Sequence, residues 1–165
     1  MVHFLVDFAC IFFMYYFMYD VSNAVLIYLL YNFMAFALQM PIGLLSDEFN
    51  RNVVVASMGC GFIGLAYVLI SILSFQTTMQ GVFPILLVMM IGLGNGMYHV
   101  GAGIEVLNQS QGKNGPLGIF ISPGAFGIYL GGIVSGRDSF PSNLIVILLL
   151  LAICGMIYLE YREKK

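Results

Sequence analysis

Apolar residues run along this chain in six long blocks, each broken by a short polar segment. A helix needs about 20 mostly apolar residues to cross the hydrocarbon core of a bilayer. On that measure the blocks predict helices over 2–19, 24–45, 53–74, 82–107, 116–136 and 141–159. The breaks carry turn chemistry: Asp20-Val21-Ser22-Asn23, the bridge Gly43–Asn52, Phe75–Gly81, Asn108–Gly115 and Arg137-Asp138-Ser139. Pro84 falls in the first turn of its helix, where proline is well tolerated. Connections this short predict one all-α polytopic bundle over 1–165, without a second domain.

Composition sharpens this into a membrane class. The chain is 61% hydrophobic with a mean hydropathy of +0.97, more apolar surface than a soluble domain of this size can hide. Lipid is therefore the expected outer solvent. The net charge of −2 points to no partner, and the basic footprint of a nucleic-acid binder is missing. Cys10, Cys60 and Cys154 each lie inside an apolar block, which argues against disulfides, metal ligation and redox work. No phosphate loop, zinc spacing or nucleophile motif occurs, so neither an enzyme nor a cofactor is expected. The first block lacks a basic lead and a small-residue cleavage site, and reads as a retained helix.

Basic residues set the expected orientation. With the N-terminus inside, Arg51, Lys113, Arg162, Lys164 and Lys165 fall on the cytoplasmic face, against Arg137 alone outside. Both termini are thus expected to be cytoplasmic.

Polar residues within the blocks are the candidates for chemistry. Asp7 lies roughly 8 Å along the first helix, and an ionisable group inside a span is a functional candidate. The alternative is a carboxylate at the interface. His3 is one turn earlier on the same face, where solvent exposure is expected. His99 lies about 25 Å along the fourth helix, at the same depth as Asp7 counted from the opposite surface. An Asp and a His at one depth could share a proton; alternatively a backbone carbonyl satisfies His99. Asn95 is one turn from His99. Glu105, about 9 Å further along, reads as an interfacial carboxylate within range of Arg51 or Lys113. Tyr28, Asn32, Ala35 and Gln39 form a stripe on the second helix, suited to a pathway or to interhelical hydrogen bonds. Pro123, Gly124 and Gly127 suit either a hinge or a close helix crossing. The last block has no polar side chain between Leu144 and Tyr158 except Cys154, and is expected to face lipid.

The bridge also carries a motif. Gly43-x-Leu45-Ser46-Asp47-x-x-x-Arg51 resembles the loop between helices two and three of the major facilitator superfamily, with Glu48, Asn50 and Asn52 departing from its pattern. Gly92-Leu93-Gly94-Asn95-Gly96-Met97-Tyr98-His99 and His3-x-x-x-Asp7 are similar to helices four and one of its fosmidomycin-resistance-like branch. The resemblance implies half of the usual protein: one six-helix bundle, a three-plus-three inverted repeat, where the family has two such bundles. It implies a secondary transporter of a small organic solute working by alternating access, proton-coupled through Asp7 and His99. Asn95, Asn32 and Gln39 would line the cavity, and Gly43, Asp47 and Arg51 would latch the cytoplasmic side. The partners expected are the lipid bilayer, the solute, and a second copy of the chain in a homodimer. Alternatives are pairing with a separate C-terminal bundle, or a non-transporting membrane interaction subunit. The expected location is a bacterial inner membrane.

Overall fold

The computed structural model describes residues 1–18, 21, 23–73, 81–136 and 141–163. Among them no strand occurs, and the elements are α1 (Val2–Phe17), α2 (Ala24–Asn32), a π-helical segment (Phe33–Ala37), α3 (Gln39–Phe49), α4 (Asn52–Ile72), α5 (Phe83–Gln109), α6 (Asn114–Ser135) and α7 (Ser142–Glu163). Five stretches are long and apolar enough to cross a membrane: Ala24–Phe49, Asn52–Ile72, Phe83–Gln109, Asn114–Ser135 and Ser142–Arg162. Val2–Phe17 is equally apolar but shorter, at 16 residues. Asp20 and Ser22 of the first expected turn, residues 75–80, Arg137-Asp138-Ser139, and the cations Lys164 and Lys165 lie outside the described residues.

Two departures from the sequence expectation have clear local causes. The bridge Gly43–Asn52 is not a loop. Helix α3 continues through Ser46, Asp47 and Glu48 to Phe49, because polar residues at a helix end need only water, not a turn. The turn is confined to Asn50 and Arg51. Asn50 takes the left-handed conformation at φ 47° and ψ 46° and returns its N–H to the Ser46 carbonyl, a conformation asparagine tolerates. Ser46 then donates to the Asn52 carbonyl oxygen of its side chain at 2.9 Å, in a buried contact that pins α3 to α4. The second departure is the break in the second span. Pro41 cannot donate to the Ala37 carbonyl, and the backbone before it passes through the π-helical turn 33–37.

Helix α1 runs through the middle of the fold. Val6, Ala9, Cys10, Phe12, Phe13 and Met14 are fully enclosed. Tyr67 of α4 is buried beside it and donates to the Ala9 carbonyl at 2.6 Å. The main neighbours are α1 with α6, α4 with α5 and α7, and the second span with α5. Small residues allow these approaches: a Cβ on Gly59 would lie 2.5 Å from the Gly94 carbonyl oxygen, so α4 and α5 meet nearly backbone to backbone. Helix α7 buries Ile145 and Leu149 and exposes Ile147, Leu150, Leu151 and Ile157, as a lipid-facing helix should.

Candidate functional site

Three helices converge on one polar cluster. Helix α1 supplies His3 and Asp7, one turn apart and therefore on one face. Helix α5 supplies His99. Asp7 Oδ2 lies 3.1 Å from His3 Nε2, and Asp7 Oδ1 lies 3.0 Å from His99 Nε2. His3 and Asp7 are buried, at 5% and 6% exposure, and His99 is partly open. The imidazoles meet edge to face at 4.6 Å, and His3 lies 4.5 Å from the Phe120 ring.

The third helix, α6, contributes backbone. His3 Nδ1 donates to the Phe120 carbonyl at 2.6 Å. Pro123, inside α6, lacks the N–H that would bond the Ile119 carbonyl, and this is the turn in which Phe120 turns its own carbonyl to the histidine. Gly124 brings the α6 backbone against the cluster itself: a Cβ there would collide with Asp7 Oδ2 and lie 2.6 Å from His3 Nε2. One turn on, a Cβ at Gly127 would collide with the Phe4 carbonyl. These glycines act in the structure as contact positions between α6 and α1.

The hydrogen bonds dictate what the cluster can hold. A carbonyl only accepts, so His3 Nδ1 must carry a hydrogen. In a neutral ring Nε2 would then be a bare lone pair aimed at a carboxylate oxygen 3.1 Å away. That contact is favourable only with a proton or another cation in it. Ligand atoms of His3, Asp7 and His99 lie within 4.8 Å of one another, as a metal ion would require. A dication on one carboxylate would leave net positive charge buried among apolar side chains, an expensive state inside a membrane. A proton leaves the cluster neutral.

A cavity of about 310 Å³ opens beside His3. Its walls come from α1, α4, α5, α6 and α7, with Tyr98 and Phe120 near His3, and Glu105 and Glu160 also on the lining. No residue of the second span is among those that line it. Glu105 pairs with neither Arg51 nor Lys113 among the described residues; it accepts from Gln109 at 2.9 Å and from Asn52 at 3.5 Å.

The structure thus joins Asp7 and His99, and it corrects the reading of His3. That residue is enclosed because the Phe120 carbonyl and Asp7 take both its nitrogens. The available signal was its i, i+4 spacing from Asp7; its carbonyl partner lies 117 residues away and left no trace in the sequence. Asn95 is buried and donates to the Tyr31 hydroxyl at 3.2 Å, tying α5 to α2. Asn32 is exposed and donates to its own helix at the Tyr28 carbonyl, and Gln39 does the same to Ala35. Neither reaches the cluster. Gly43 is partly buried, and Asp47 and Arg51 are exposed.

No family model, no curated protein and no solved structure matches the chain.

Proposed function

We propose that this chain is half of a secondary transporter of the major facilitator type, moving a small organic solute by alternating access with a proton bound at His3, Asp7 and His99 as the coupling ion. The observation that carries the reading is the buried carboxylate held between two histidines from separate helices of an apolar bundle. Ionisable groups inside spans mark ion pathways and proton relays. Helix pairing adds support. A repeat that maps spans one to three onto four to six turns a one–five contact into a four–two contact, and both pairings occur here: α1 with α6, and α5 with the second span.

In this reading two copies associate around a two-fold axis and rock against each other. The second span offers an exposed face containing Leu29, Phe33 and Phe36, with Asn32 among them. An exposed mid-span amide favours a protein neighbour over lipid. Asn32 and Gln39 would line the space between copies, and Asn95 would brace its wall. Gly43, Asp47 and Arg51 would form the cytoplasmic latch, and Pro123 with Gly124 and Gly127 the pliant turn of the fifth span. Both termini would be cytoplasmic, in a bacterial inner membrane.

The test is proton-driven uptake or efflux in proteoliposomes screened over organic solutes, with Asp7→Asn as the variant. Flux that responds to an imposed pH gradient and disappears in the variant is expected. Full proton-driven flux in Asp7→Asn would refute the coupling role. Disulfide crosslinking of Phe33→Cys addresses the partner: symmetric self-crosslinks are expected, and a monomer without self-contact points instead to a separate second bundle.

A further inference from the structure

We infer that the proton held by this cluster resides on His3, as an imidazolium shared with Asp7, and that it exchanges with water through the cavity that Glu105 borders. The inference rests on the cluster proposed above as the coupling site, but it requires neither a known solute nor a second copy.

Placement on His3 follows from counting hydrogens. His3 Nδ1 carries one, committed to the Phe120 carbonyl at 2.6 Å. The contact from His3 Nε2 to Asp7 Oδ2 at 3.1 Å needs a second. The contact from His99 Nε2 to Asp7 Oδ1 at 3.0 Å needs a third, which a neutral His99 supplies from its own ring. An ionised Asp7 and two neutral histidines supply only two hydrogens for three contacts. One additional proton completes the set and cancels the carboxylate charge. Asp7 already accepts from His99 through Oδ1, and hydrogen bonds accepted by a carboxylate favour its ionised form, so the added hydrogen is placed on His3 Nε2.

The surroundings define the route. Asp7 faces His3 from α1, and His99 and Tyr98 face it from α5, with ring centroids 4.6 and 6.0 Å away. Helix α6 presents Phe120 and the Gly124 backbone. The cavity is lined by Met1, His3 and Tyr98, with Glu105 from α5 and Glu160 from α7; among the described residues no Lys or Arg lines it. A proton entering there shares the cavity with the Glu105 and Glu160 carboxylates before it reaches the imidazole. Loading is a simple transfer: a proton leaves water, passes by way of Glu105 and the cavity, and forms an N–H bond at His3 Nε2. Unloading reverses it, and no other bond changes.

The chain has two histidines, so the question can be read directly. Protein labelled with ¹⁵N-histidine in lipid nanodiscs at pH 7 should show one ring with both nitrogens protonated and one ring with a single bare nitrogen. His99→Gln assigns the former to His3. In Asp7→Asn the His3 ring should lose its Nε2 proton and keep that on Nδ1. Glu105→Gln should slow proton exchange at His3 by on the order of 100-fold, the low end of what a positioned acid–base group contributes. A bare Nε2 on His3 in the unmodified protein, or an imidazolium that persists in Asp7→Asn, overturns the placement; unchanged exchange in Glu105→Gln overturns the route. Absent flux in proteoliposomes would count against the carrier reading and leave these spectra unaffected.

Discussion

Two glycines eight residues apart on α6 allow one substitution to be made in two environments. A Cβ at Gly132 meets nothing within 4 Å, whereas at Gly124 it collides with Asp7 Oδ2 and approaches His3 Nε2 to 2.6 Å. Gly→Ala in an open helical position stabilises by roughly 0.5–1 kcal/mol through reduced backbone entropy, and Gly132→Ala should gain about that. At Gly124 the same gain is opposed by overpacking, about 1–3 kcal/mol. The intruding methyl has two ways out. Helix α6 can move away, but Gly127 holds its backbone against the Phe4 carbonyl one turn later. The alternative is displacement of the two side-chain ends, which separates a buried ion pair at about 3–5 kcal/mol if complete. Partial displacement should therefore leave Gly124→Ala about 1–4 kcal/mol less stable than the parent. Unfolding free energy by steric trapping in bicelles, with both variants, measures the difference. The His3 ring signal should shift in Gly124→Ala and stay in place in Gly132→Ala. Equal stability of the two variants within about 0.5 kcal/mol, with an unmoved His3 signal, would refute the view that Gly124 forms the wall of the cluster.

Two further outcomes are expected from the packing. Tyr67→Phe removes the buried bond to the Ala9 carbonyl and should cost about 0.6–1.5 kcal/mol in the same unfolding assay, without altering the His3 spectrum. Asn50→Ala should cost about 1–2 kcal/mol because alanine resists the left-handed conformation, while Asn50→Gly should be close to neutral; similar losses in both would assign the effect to the side chain instead.

What could be read in advance was whatever depends on a fixed rise per residue. Asp7 and His99 were placed at one depth by counting from opposite ends, and a helix advances about 1.5 Å per residue whatever surrounds it. The apolar blocks were legible as helices because a helix satisfies its own backbone polar groups within lipid. The stripe Tyr28, Asn32, Ala35 and Gln39 was counted on an α-helical period, and the π-helical segment Phe33–Ala37 falls inside it; its Tyr28 donates across to the Met14 carbonyl on α1. His3 was misjudged because proximity to a chain end is a weak guide to burial. Its enclosure is decided by a carbonyl on α6, and backbone groups carry no signature of their tertiary partners.

The cluster couples protonation to packing through a contact that cannot survive deprotonation unchanged. Without its proton, His3 Nε2 turns a lone pair to Asp7 Oδ2, and the attraction that joined them becomes repulsion. The ring cannot simply reverse itself, because Nδ1 is held by the Phe120 carbonyl on α6. Asp7 cannot move toward Gly124, where the α6 backbone already stands. Separating α1 and α6, or admitting water through the adjoining cavity, would relieve the repulsion. In the proposed carrier this is the link between ion and conformation: a loaded His3 holds α1 against α6, and an empty one favours their separation. A charge that needs only one proton to disappear is also the least costly cargo to leave inside an apolar bundle while the bundle moves.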